Sequence, residues 1–246
     1  VTVLSIDFET RATVDLRESG VYPYAAHRHT DIWCMAWAFD EEEPEIWEPL
    51  QCDRDQCAYP DHRSYIPSDI YDHIAAGGEI RAWNAAFERI IWREIMVKRY
   101  GAPAIKDEQF VCSAAEAAAM ALPRSLDECA SVLKVDSQKD KEGYALMLRM
   151  SRPRRWERGG THGPADAADV PIWWDDAGKF QRLCEYCKQD VRTERSIVKA
   201  LRRLVPRERE VYLLDQRIND RGVHLDRQLV VAAKGIVEEG VERANL

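Results

Sequence analysis

The chain opens V-T-V-L-S-I-D-F-E, in which Leu4, Ile6 and Phe8 alternate with Ser5, Asp7 and Glu9. A period of two predicts a strand with one apolar face and one face carrying two carboxylates. Similar runs predict strands at 32–39 (I-W-C-M-A-W-A-F), 45–49 and 79–83. A loop with Pro60 and Pro67 leads to a helix after Ser68, closed by Gly77-Gly78. Asn84 then opens A-A-F-E-R-I-I-W-R-E-I-M-V-K-R-Y, a segment of helical period stopped by Gly101 and Pro103. Strand, helix, strand, helix in this order predicts an α/β layer structure. The second half reads as mainly helical. Phe110-Val111 is a last short strand, and an Ala-rich helix at 113–121 is ended by Pro123. Ser125-Leu126-Asp127-Glu128 begins another helix. Pro153, Gly159, Gly160, Gly163, Pro164 and Pro171 predict a long irregular loop over 151–174. Helices follow at roughly 175–204, at 207–218, and after the turn Asn219-Asp220-Arg221-Gly222.

Composition narrows the class without naming it. No apolar run approaches the ~20 residues of a membrane span, and the start is no signal sequence, so the expected setting is cytoplasmic with no membrane partner. Seven cysteines at 34, 52, 57, 112, 129, 184 and 187 show no small-scaffold spacing and read as reduced. Cys184-Glu185-Tyr186-Cys187 lacks the second half of a zinc motif and reads as helix packing. The net charge of −8 argues against a wide phosphate-binding surface. The charge is uneven, however. Residues 40–48 are acidic, whereas Arg152, Arg154, Arg155 and Arg158 make a basic segment that is either solvated or touches a phosphate backbone. The first residue is Val, which suggests a trimmed chain or an excised domain.

The two acids on the first strand are the chemical anomaly. A strand buried on both faces does not normally hold adjacent carboxylates, because each isolated buried charge is strongly disfavoured. Either the strand ends there and both acids are solvated, or a hard divalent cation binds them. Two further segments bear on that choice. Tyr186 and Asp190 are four apart on the long helix and so share a face. Asn84 precedes a helix whose first turns carry Glu88, although an Asn cap and an acid near a helix N-terminus need no function.

The order Asp7-x-Glu9, Asn84-x-x-Phe87-Glu88, Tyr186-x-x-x-Asp190 resembles the three-motif pattern of the DEDD superfamily of 3′→5′ exonucleases, in the branch with a tyrosine in the third motif. The segment L-D-Q-R-I-N-D-R-G-V-H-L-D at 214–226 looks like the join to the polymerase module of family A DNA polymerases. L-P-R-S-L-D-E-C-A-S-V-L at 122–133 and K-D-K-E-G at 139–143 are similar to the phage-type members. The resemblance implies a ribonuclease-H-like mixed sheet flanked by helices. It also implies an exonuclease domain over 1–204 and, over 205–246, the start of a truncated polymerase module or a linker, with a helical C-terminal extension. The implied reaction is two-metal hydrolysis of the terminal phosphodiester at the 3′ end of single-stranded DNA, with proofreading for a polymerase module in the same longer chain. Asp7, Glu9 and Asp190 would hold one Mg²⁺ or Mn²⁺, with Asp7 bridging to a second held by Glu88. Tyr186 would orient the attacking water, and Thr10, Asn84 and Phe87 would meet the terminal nucleotide. The family usually has Asp where this chain has Glu88. Two alternatives therefore stand beside it: a weak or inactive domain that binds single strands or braces the polymerase, and an RNA 3′-end exonuclease of the same superfamily.

Overall fold

A computed structural model describes residues 2–49, 66–135, 140–157 and 170–245. By its internal packing the chain divides into two units, Val1–Leu204 and Val205–Leu246.

The first unit is built on five strands, β1 (Val3–Arg11), β2 (Asp31–Phe39), β3 (Glu45–Trp47), β4 (Glu79–Ala82) and β5 (Phe110–Cys112). Their order is β3-β2-β1-β4-β5. β2 runs antiparallel to both β1 and β3, while β4 runs parallel to β1 and β5 parallel to β4. This is a mixed sheet compatible with the ribonuclease-H-like fold. Short helices α1 (Leu16–Ser19) and α2 (Val21–Ala26) follow β1, and α3 (Ser68–Ala75) precedes β4. After β4 come α4 (Ala85–Ile91), a π-helical stretch Trp92–Val97 and α5 (Lys98–Tyr100). Helices α6 (Ser113–Ala119), α7 (Leu126–Leu133) and α8 (Lys141–Met150) then lead to β6 (Arg155–Glu157), β7 (Val170–Ile172) and the long α9 (Ala177–Val198). The second unit consists of α10 (Pro206–Arg221) and α11 (Arg227–Ala244).

The sheet is buried on both faces. Leu4, Ile6 and Phe8 lie on one side of β1, and Ser5 and Glu9 on the other are as fully covered. α9 closes that second side, where Cys184, Cys187 and Val191 pack on Cys34, Ala36 and Ala38 of β2. On the opposite face the Phe8 and Trp92 rings lie 6.3 Å apart. Ile90, Ile91, Trp92, Ile95 and Met96 are all buried, a wider apolar arc than one α-helical face offers. The π stretch accommodates that arc where the apolar spacing predicts an uninterrupted α-helix. Gly101, at φ 69°, ends the helix in the left-handed region open to glycine.

The structure differs from the sequence expectations at four places. β1 does not stop at the acids: it continues to Arg11, with a bulge at Glu9/Thr10, so the solvated-strand-end reading fails. The irregular stretch expected over 151–174 contains β6 and β7, paired antiparallel with Trp156 opposite Pro171. An aromatic and β-branched residues favour the ladder, and a two-stranded edge tolerates the proline. α1 and α2 are additions that the pattern does not predict, being too short for a period to register. α8 is a further addition, and it forms a wall of the cleft described next. Pro60, Cys52, Cys57, Lys139, Arg158, Gly159, Gly160, Gly163 and Pro164 lie outside the described residues. Among the described residues no helix is long and apolar enough to cross a membrane, and Cys34, Cys112, Cys129, Cys184 and Cys187 are buried.

Candidate active site

Three elements deliver acids to one cleft of about 620 Å³. β1 supplies Asp7 and Glu9, α4 supplies Glu88 from its first turns, and α9 supplies Asp190 together with Tyr186 one turn before it. All eight residues singled out in the sequence line this cleft: Asp7, Glu9, Thr10, Asn84, Phe87, Glu88, Tyr186 and Asp190. The parallel β1–β4 pairing accounts for much of this, since it sets the end of β4, and hence the start of α4, beside β1. The close packing of α9 over β1 and β2 brings in the third segment.

The acids are poorly solvated and have no internal cation. Glu9 and Glu88 are only 7 % and 4 % exposed, while Asp7 and Asp190 are half-buried. Among the described residues none of the four forms an ion pair with a base. Burial pushes the Asp7 carboxyl up to about 6, offset in part by a hydrogen bond from the Cys187 thiol. Glu9 is held well above the usual carboxylate range, first by burial and then by the charges of Asp7 and Asp190. Glu88 is raised by burial and by Asp7. Asp190 is pushed up to about 8 by burial and by Asp7, against the pull of a hydrogen bond from Tyr186. Burial and the charge of Asp190 raise Tyr186 in turn, which keeps it a phenol at neutral pH. One oxygen of Glu88, Oε2, is buried without any hydrogen-bond partner. Carboxylate oxygens without a paired base, one of them orphaned, are a donor set that would suit a hard divalent cation.

Thr10, Asn84 and Phe87 differ in how free they are. Thr10 is buried, with its hydroxyl 2.8 Å from the Tyr24 hydroxyl. The Tyr24 ring lies 6.3 Å from Phe87, so Tyr24 braces both. Asn84 sits at the N-cap position of α4, yet its side chain makes no capping bond and is exposed on the cleft. Of the basic segment, Arg152 reaches the cleft and pairs with Asp15 at 2.7 Å. Arg154 instead lies over the Trp174 ring, and Arg155 pairs with Glu157.

Three residues of the site escape a reading of the sequence. Cys187, which reads as packing, donates its thiol to Asp7 Oδ2 at 3.3 Å. Its position three residues before Asp190 is a usable signal. Arg17 on α1 lines the cleft, on a helix the apolar pattern does not reveal. Gly143, in a segment marked only by its resemblance, lets α8 approach Tyr186: a Cβ there would lie 2.5 Å from Tyr186 Cδ2 and 2.5 Å from Asp140 Oδ2. Asp140 caps α8 through the Gly143 N–H and also pairs with Arg182 of α9, which ties the two helices together.

No family model matches this sequence. Over 230 residues, 92 % of the chain, it is 32 % identical to a protein of Bacillus phage SP02 described as a DNA polymerase. The matched part is 32 % of that protein, so the chain spans about a third of the length of the curated relative it matches.

Proposed function

We propose that residues 1–204 are a metal-dependent 3′→5′ exonuclease domain acting on the unpaired 3′ end of DNA, and that they proofread for a DNA polymerase of which this chain is a part. The observation that carries this reading is the convergence of Asp7, Glu9, Glu88 and Asp190, four acids without a base, on one cleft beside Tyr186. The similarity to a phage DNA polymerase supports the polymerase context. So does the unit Val205–Leu246, where Leu214, Ile218, Val223, Leu225, Leu229 and Ile236 are all exposed, as expected of a segment that packs against more chain.

In this reading Asp7, Glu9 and Asp190 hold one Mg²⁺ or Mn²⁺, and Glu88 with Asp7 holds a second. Bound there, such ions activate a water and stabilise the leaving 3′ oxygen. The chain's own groups do the positioning. Tyr186, kept protonated, offers its O–H to orient the attacking water and is unsuited to act as base. Asn84 presents a free amide to the terminal nucleotide, and Phe87, held by Tyr24, offers a face to its base. Arg17 and Arg152 at the cleft supply the positive charge for a phosphate.

The test is a 3′-labelled single-stranded DNA oligomer, with a matched RNA alongside, incubated with Mg²⁺ or Mn²⁺. Stepwise loss from the DNA 3′ end is expected, abolished by chelator and reduced on the order of 10³-fold in Asp7→Ala, equivalent to several kcal/mol of transition-state stabilisation. Intact DNA under both metals, with binding retained, overturns the reading in favour of a binding domain. Faster loss from RNA overturns the DNA preference.

A further inference from the structure

We propose that Asp7, Glu9 and Cys187 form a site for a thiophilic divalent cation, Zn²⁺ or Cd²⁺, which overlaps the all-oxygen site and competes with it. One ligand atom from each of the three lies within 4.8 Å of the others. The Cys187 sulfur is 3.3 Å from Asp7 Oδ2. In a tetrahedral centre, metal–sulfur and metal–oxygen bonds of about 2.3 and 2.1 Å set those ligands about 3.6 Å apart. The pair is therefore already spaced for one ion.

A second observation points to a ligand independently of this cluster. Glu88 is 4 % exposed, lines the same cleft as Asp7 and Glu9 and leaves Oε2 without a partner, although it lies outside the group of three convergent ligand atoms. Hard cations gain nothing from a sulfur ligand, whereas Zn²⁺ and Cd²⁺ gain a great deal. Binding forms a metal–sulfur bond and breaks the Cys187 S–H bond, whose proton leaves to solvent. Cys34 and Cys184 belong to the same apolar layer but not to this group of convergent ligand atoms. The consequence for catalysis rests on the exonuclease reading: a soft cation held by Cys187 would displace the ion that Asp7 and Glu9 share and block the reaction. Binding itself does not depend on that reading.

The experiment titrates the full, metal-free chain with Cd²⁺ and follows the ultraviolet charge-transfer absorption of cadmium–thiolate bonds. The tightest step should vanish in Cys187→Ser and in Cys187→Ala, and persist in Cys34→Ser and Cys184→Ser. Asp7→Asn should weaken that step by more than the about tenfold that loss of even a supporting residue costs a metal site. Excess Mn²⁺ should displace it. A tightest step that survives both Cys187 substitutions, or is indifferent to Asp7→Asn, overturns the proposal. If Cd²⁺ binds as described and no DNA is hydrolysed with Mg²⁺, the soft-cation site stands and the exonuclease reading falls. If DNA is hydrolysed but the Cys187-dependent step is missing, the exonuclease reading stands and the soft-cation site falls.

Discussion

Two clusters of buried acids lie in the first unit, and they are solved differently. In the cleft, Asp7, Glu9, Glu88 and Asp190 meet without a base. On the same face of the sheet, beside β4, Glu116 and Glu194 are buried too but share Arg81. Its Nη1 is 2.6 Å from Glu116 and 3.1 Å from the Ser113 hydroxyl, which donates to Glu194 at 2.6 Å. Arg203 reaches the same group from the surface through Glu79. A structural cluster carries its own counter-charge. The cleft cluster forms no such pair among the described residues, and the proposed cation site rests on this contrast.

Removing the guanidinium should turn the second case into the first. Arg81→Met is expected to destabilise the fold by about 3–5 kcal/mol, since it strands two buried carboxylates. Urea unfolding measures this, and adding Glu116→Gln and Glu194→Gln should recover most of the loss. The network itself has a pH signature, because Glu194 meets Arg81 through the Ser113 hydroxyl. Burial, against the pull of Ser113 and Arg81, pushes Glu194 up to about 8 from an ordinary 4.5. An acid with a raised folded pKa contributes stability that is full below about 4.5 and lost as pH rises to about 8. Glu194→Gln should therefore flatten that part of the stability–pH curve by a few kcal/mol, measured as unfolding free energy at each pH.

The cleft should respond in two ways. Gly143→Ala drives a methyl into Tyr186 and Asp140 and should cost about 1–3 kcal/mol by overpacking. If Tyr186 orients water, the same variant should lower kcat more than it raises KM. The smallest effect is the most diagnostic. Glu88→Gln removes an unpartnered carboxylate and should raise the stability of the chelator-treated chain by about 1 kcal/mol while reducing metal-dependent activity. A fall in stability as large as that in Arg81→Met would place Glu88 in a structural network and erase the contrast.

Much of the site is legible in the sequence because local pattern encodes it. The period of two puts Asp7 and Glu9 on one face of β1, and the i, i+4 spacing puts Tyr186 beside Asp190. A helix opening at Asn84 puts Glu88 in a first turn. What the pattern cannot supply is closure. Arg17 and the Gly143 contact come from helices whose only relation to the acids is through space. Cys187 faces Asp7 because α9 crosses β1 at that height. The acidic 40–43 turn misleads in the same way. Arg195 donates to the Asp40 carbonyl, while Lys199 and Arg192 meet Glu41 and Glu43, so that patch is offset by α9 and is no barrier to a polyanion elsewhere.

The sequence by itself determined the α/β alternation, the strand and helix that carry each acid, and the faces they occupy, because periodicity and caps act over a few residues. Only the tertiary structure decided that β1 runs past its acids into a buried bulge and that α8 walls the cleft through a glycine. It alone decided, too, that one acid cluster pairs with an arginine while, among the described residues, the other forms no ion pair. Burial and pairing depend on which distant segments come together, and it is four converging carboxylates without a paired base that make the cleft a candidate cation site.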